Sequence, residues 1–213
     1  MSRRLNSDMK KVAVFIVCFI PAAWLLFAVL TDRLSADPIK DITQDTGSWA
    51  LRLLLVTLCI TPLRKLTGWS SVIRYRRMLG LFAFFYGFLH FLTYVWLDQF
   101  FSVSDMLRDV YKRPFITAGF TGFIVMVPLA ITSTKNWIVR LGGKRWQLLH
   151  RLTYISGIAG VLHYLWLVKS DVERPLIYGV LLSFLLGFRV FQSLPSRRPS
   201  AAVRTSDGPV LLS

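Results

Sequence analysis

The chain has 213 residues, of which 54% are hydrophobic and 14% aromatic, and its mean hydropathy is +0.51. A soluble domain is typically about 45–50% apolar, so this composition excludes an ordinary soluble fold and predicts an integral membrane protein of one domain. The formal charge of +15 raises nucleic acid as a partner, but the basic residues do not gather with interleaved aromatics on a polar module, which excludes that class. Cys18 and Cys59 both fall inside apolar segments, so a disulfide framework is excluded and each reads as a packing residue.

Six apolar stretches follow in order, at 12–30, 48–63, 78–97, 115–132, 147–168 and 175–191. Each is near the ~20 residues a spanning helix needs, and the predicted fold is all-α with six transmembrane helices. Arg3-Arg4 ahead of the first stretch resembles a twin-arginine export signal. The run that follows is long enough to span and lacks a convincing small-residue cleavage site, so it is read as a retained helix. Pro21, Pro62 and Pro128 sit within or near the ends of spans, where kinks are tolerated once the freed backbone groups find partners. The tryptophans cluster near span ends as an interfacial belt. The domain is placed at 1–193, and the Ser-, Pro- and Arg-rich tail at 194–213 is expected to be disordered.

Lys and Arg favour cytoplasmic loops. Arg3, Arg4, Lys10 and Lys11 precede the first stretch; Arg64, Lys65, Arg74, Arg76 and Arg77 follow the second; Lys135, Arg140, Lys144 and Arg145 follow the fourth; Arg197, Arg198 and Arg204 follow the sixth. The alternate connections carry Asp32, Asp37, Asp41 and Asp45, then Asp98, Asp105 and Asp109, then Asp171 and Glu173. Both termini are therefore placed in the cytoplasm. The third and fifth helices run in the same direction.

All three histidines lie on those two helices. His150 and His163 are 13 residues apart on the fifth, about 20 Å at the helical rise. Read back from His163, steps of 3, 7, 10 and 13 land on Gly160, Ser156, Thr153 and His150; from His90 they land on Gly87, Ala83, Gly80 and Arg77. His90 and His163 thus share one level in the outer half of the membrane, and Arg77 and His150 the inner level. The small residues serve either close helix packing, common in membranes, or room for a flat macrocycle. Ionisable side chains at this depth are costly and count as functional by default.

Imidazole suits iron, copper and zinc, but every acidic residue lies outside the spans, so a bare cation would go uncompensated. A haem brings four nitrogen ligands and an apolar periphery, leaving two axial positions to fill. His90 and His163 are the candidate axial pair. Guanidinium is a poor iron ligand because it stays protonated, so three histidines exclude two bis-histidine haems. At the inner level three roles stay open for His150: sole ligand of a labile haem with Arg77 on a propionate, contact to a flavin or quinone, or an inert interfacial residue.

Arg76-Arg77-Met-Leu-Gly80-Leu, Leu129-Ala-Ile-Thr-Ser133, Trp146-Gln-Leu-Leu-His150-Arg-Leu-Thr-Tyr154 and the lone His90 and His163 resemble the haem-binding membrane subunits of the periplasmic protein-methionine-sulfoxide reductase system, within the ferric reductase-like transmembrane superfamily. The resemblance implies haem b, an FMN, the bacterial inner membrane, and electrons taken from quinones. It also implies delivery to a periplasmic molybdopterin-containing catalytic subunit in a heterodimer that repairs methionine sulfoxide, so that this chain is not itself the sulfoxide-reducing enzyme. Two other readings compete. A metalloreductase or oxidase working at its own outer surface needs a nicotinamide module or a donor partner, and the chain has no dinucleotide-binding glycine fingerprint. A proton-relaying transporter usually brings intramembrane carboxylates.

Overall fold

A computed structural model of the chain describes residues 2–168 and 170–193, and all regular structure among them is helical. The tail at 194–213 lies outside the described residues. The order is α1 (Ser2–Leu30), α2 (Pro38–Thr67), a 3-10 turn (Ser70–Tyr75), α3 (Arg76–Leu92), a π-helical turn (Thr93–Asp98), α4 (Val103–Lys112), α5 (Pro114–Ile131), α6 (Lys135–Leu141), α7 (Gly143–Leu149), a 3-10 turn (His150–Leu152), α8 (Thr153–Leu167) and α9 (Glu173–Ser193).

Five segments are long and apolar enough to cross a bilayer: Asp8–Leu30, Pro38–Thr67, Ser70–Asp98, Pro114–Ile131 and Glu173–Gln192. The sixth expected span, 147–168, is not one helix. A 3-10 turn at His150–Leu152 divides it, and α8 alone has 15 residues, about 22 Å of helix.

Helix ends follow local chemistry more than hydropathy. Asp37 caps α2 by accepting from the Lys40 amide at 3.2 Å, Pro38 takes the first helical position, and Asp41 adds an acid to the positive end of the helix dipole. The helix therefore starts ten residues before the apolar run, and the acidic connection expected at Asp37, Asp41 and Asp45 is its first turns. Gly68 ends it in the left-handed region at φ 70°, where a side chain would be strained. Asp105 and Asp109 likewise lie on a helix, α4, which Ser102 caps. That helix exposes Val103, Leu107 and Tyr111 at four-residue spacing opposite its acids, the two-faced pattern of a helix lying in a membrane interface.

Around the central post α2, one face buries Leu53, Leu54 and Ile60 against Cys18 of α1 and Leu79, Phe82, Ala83 and Tyr86 of α3. The other buries Leu51, Leu55 and Leu58 against Val161 of α8 and Leu182 and Leu185 of α9. Helix α2 packs along α3 and α5 along α8, and contacts of α3 with α5 and of α2 with α8 close a four-helix ring. Outward positions such as Val180 and Phe191 are 72% and 76% exposed, the apolar coat expected of a lipid-facing surface.

The small residues shared by α3 and α8 go largely into this packing. A Cβ on Gly122 of α5 would lie 3.3 Å from that of Ala159 and 3.6 Å from the Ser156 carbonyl oxygen. Gly157 faces Leu182 and Leu58, and Gly160 faces Leu51. On the shared stripe, Gly160 against Leu51 and Gly80 against Thr57 make contacts of close helix approach. In α1, past Pro21, the Tyr86 hydroxyl accepts from the Ala22 amide at 3.0 Å and donates to the Cys18 carbonyl at 2.8 Å. One side chain of α3 thus serves both ends of one rung of the α1 ladder.

Candidate functional site

Helices α3 and α8 bring His90 and His163 together inside the four-helix ring, with ring centroids 5.9 Å apart and planes at 76°. Each imidazole is fixed from behind by a helix of its own pair. His90 Nδ1 donates to the Thr43 carbonyl of α2 at 2.9 Å, and His163 Nδ1 donates to the Phe115 carbonyl of α5 at 2.6 Å. A carbonyl can only accept, so both rings carry the Nδ1 proton and keep the Nε2 lone pair available. The two anchors have one design. Four residues beyond each carbonyl stands a glycine, and the ring lies on it: a Cβ at Gly47 would meet His90 Nδ1 and Cε1 at 3.0 Å, and one at Gly119 would meet His163 Nδ1 at 2.7 Å. A helical carbonyl already accepts from the amide four residues on, so the missing side chain there is what lets an imidazole reach its second lone pair.

The centroid spacing is that of two imidazoles that would hold one porphyrin iron. With metal–imidazole bonds of about 2 Å, two axial imidazoles across one iron have centroids roughly 6 Å apart. An Nδ1–H bonded to a backbone carbonyl is the usual support that fixes the orientation of a ligating histidine. Among the described residues no three His, Cys, Asp or Glu side chains converge as a metal cage. Two imidazoles suffice only where another molecule supplies the remaining ligands.

The inner level is built differently. His150 stacks on Trp146 with centroids 3.9 Å apart, and Trp146 Nε1 donates to the Thr132 carbonyl at 2.8 Å. The Thr132 hydroxyl donates to the Pro128 carbonyl at 2.6 Å and lies 3.2 Å from His150 Nε2. Its proton being spent, it accepts from His150, which therefore carries the Nε2 proton. The two levels hold opposite tautomers, and in this arrangement the Nε2 of His150 is not a free ligand.

Arg77 is exposed, while Arg76 is half-buried. The reason lies in helix geometry. Thirteen α-helical steps back from His90 turn through about 220°, to the far side of α3, whereas fourteen come within about 40° of the same face. On the other side three of the thirteen steps fall in a 3-10 turn, which adds about 60° of rotation. Helix geometry thus puts Arg76, rather than Arg77, nearer the face of α3 that carries His90.

Several site residues lay beyond the sequence reading. Arg52 and Arg189 fall inside apolar stretches, a signal that was legible; Arg52 Nε bonds the Tyr178 hydroxyl at 3.1 Å, and Arg189 lies 4.7 Å over the Tyr154 ring. Gly47 and Gly119, with the carbonyls behind them, carry no signal of their own. They become visible only when two helices are packed.

Such a molecule is a multi-pass helical membrane protein with a half-buried, oriented imidazole pair between its helices. The chain belongs to the ferric reductase-like transmembrane family, whose description, ferric reductase like transmembrane component, matches residues 46–161. Among its relatives are proteins named protein-methionine-sulfoxide reductase heme-binding subunit MsrQ. That of Herminiimonas arsenicoxydans is 52% identical over 200 residues, covering 92% of each chain. The Azospira oryzae protein is 50% identical over 190 residues, covering 89% of this chain and 82% of its own, and the Ralstonia nicotianae protein 48% over 183 residues, covering 85% and 84%.

Proposed function

We propose that this chain is the haem-binding electron-transfer subunit of a protein-methionine-sulfoxide reductase system, with His90 and His163 as axial ligands of one haem b. The matched pair of Nδ1-anchored imidazoles 5.9 Å apart carries the reading, and the relatives' printed name agrees with it. Haem supplies reversible one-electron chemistry. The protein's part is to fix both imidazole planes, keep water from the iron with a lipid-facing apolar coat, and set the potential by axial identity and burial.

In this proposal the chain crosses the bacterial inner membrane six times, α8 completing its crossing through the 3-10 turn and α7. Both termini are cytoplasmic, and the His90–His163 pair lies in the outer half. The donor is the quinone pool, directly or through an FMN. The acceptor is a periplasmic molybdopterin-containing catalytic subunit, docked on the outer end formed by the acidic start of α2 and by α4. His150 belongs to the entry level, where a second, labile haem would need its ring to release Thr132.

The test is the spectrum of the purified protein after haem-replete expression. His90→Ala and His163→Ala should each abolish the low-spin b-type spectrum of the outer haem, while the reduced partner activity falls with it. A colourless wild-type protein, or an unchanged low-spin spectrum in both variants, overturns the assignment.

A further inference from the structure

Arg76 opens α3, Arg189 lies near the end of α9, and His150 and Tyr154 flank the start of α8, so all four share the basic end of the bundle. The Arg189 side chain is wedged inward over the Tyr154 ring at 4.7 Å, and its Nε and Nη2 are buried with no hydrogen-bond partner. Arg76 is half-buried at the same end, in the first turn of α3. Among the described residues neither guanidinium has a carboxylate within ion-pair distance. Among the described residues the acid at this end is Asp8, bound to Lys11 at 3.4 Å.

A guanidinium with two donors withdrawn from water and unmade is costly unless an anion joins it. The π face of Tyr154 offsets part of one charge but accepts no N–H in the guanidinium plane. A fork with unmade donors, and a second arginine at the same end of the bundle, suit an oxyanion held through paired N–H donors. We propose that Arg76 and Arg189 form a clamp for the phosphate or carboxylate group of an amphipathic molecule whose apolar body lies along α8 and α9. The clamp stands whether or not iron sits between His90 and His163. The oxyanion can belong to a haem propionate, a flavin mononucleotide phosphate or a lipid headgroup.

The experiment compares wild type with Arg76→Gln, Arg189→Gln and Arg189→Lys, each purified as the full chain in neutral detergent and checked for helicity and monodispersity. Three quantities are read: haem retained per chain, affinity for FMN against riboflavin, and phosphatidylglycerol retained after delipidation. One of them should fall about tenfold in both Gln variants, with Arg189→Lys intermediate. A loss for FMN with riboflavin unchanged assigns the flavin phosphate, a loss of haem assigns a propionate, and a loss of phosphatidylglycerol assigns the headgroup. If all three are unchanged in folded Gln variants, the clamp is refuted. A wild-type protein without haem refutes the axial-ligand proposal and leaves the flavin and lipid readings able to decide this one.

Discussion

At the residue scale the histidines are readable and their supports are not. His90 and His163 stand out because ionisable groups in apolar runs are rare, and parallel helices bring equal depths together. The Thr43 and Phe115 carbonyls look like any other backbone group until a ring is placed on them. Gly47 and Gly119 therefore carry the sharper prediction. Gly119→Ala puts a methyl 2.7 Å from His163 Nδ1, closer than atoms pack, and should tilt the ring off its carbonyl; Gly47→Ala, at 3.0 Å, should do so less. Haem content and the low-spin spectrum should fall severalfold for Gly119→Ala and by a smaller factor for Gly47→Ala. Equal, wild-type haem loading in both would mean that the rings do not depend on these anchors.

At the element scale, hydropathy finds the apolar slabs, and caps and turns decide what the helices do at their ends. The stretch 78–97 is nearly the observed α3 with its π-helical turn, while 48–63 is only the middle of α2, because Asp37 and Pro38 start the helix well before the slab. The 3-10 turn at His150–Leu152 has no apolar signature, yet it sets which residues share the inner level. Pro21 was legible as a tolerated kink, and its solution in Tyr86 was not. Tyr86→Phe removes the acceptor of the Ala22 amide and a donor to the Cys18 carbonyl. Net losses per hydrogen bond of about 0.5–1.5 kcal/mol predict about 1–3 kcal/mol lost, read as a lower unfolding midpoint in detergent. An unchanged midpoint would show that the rung closes on itself without the tyrosine.

At the scale of the whole molecule, charge divides the chain. The acids gather at the His90 end and the bases at the Arg76 end, which is the asymmetry that orients membrane proteins. Reporters fused after Asp45, Asp105 and Asp171 should be active outside the cell, and those after Arg74, Lys144 and Arg204 inside. A cytoplasmic reading at Asp105 would invert the bundle and put the imidazole pair on the wrong side for a periplasmic acceptor. The family was legible in the sequence because its motifs lie on α3, at the end of α5 and on the run from α7 into α8. The four-helix ring was not, because it depends on contacts of α2 and α5, which carry no histidine. Helices α2 with α3 and α5 with α8 are two versions of one device, the ligand on the second helix and its carbonyl and glycine on the first, separated by 47 residues in one and 48 in the other.

The 76° between the two ring planes has a magnetic consequence. Parallel axial imidazoles split the two iron d orbitals that overlap their π systems, whereas crossed ones act on both almost equally and leave them nearly degenerate. A ferric iron held between His90 and His163 would keep much of its orbital angular momentum. Its low-temperature EPR spectrum should then be a single, strongly anisotropic low-spin feature at large g. The well-spread rhombic triplet of coplanar ligands in the haem-loaded protein would show instead that the rings turn when iron enters.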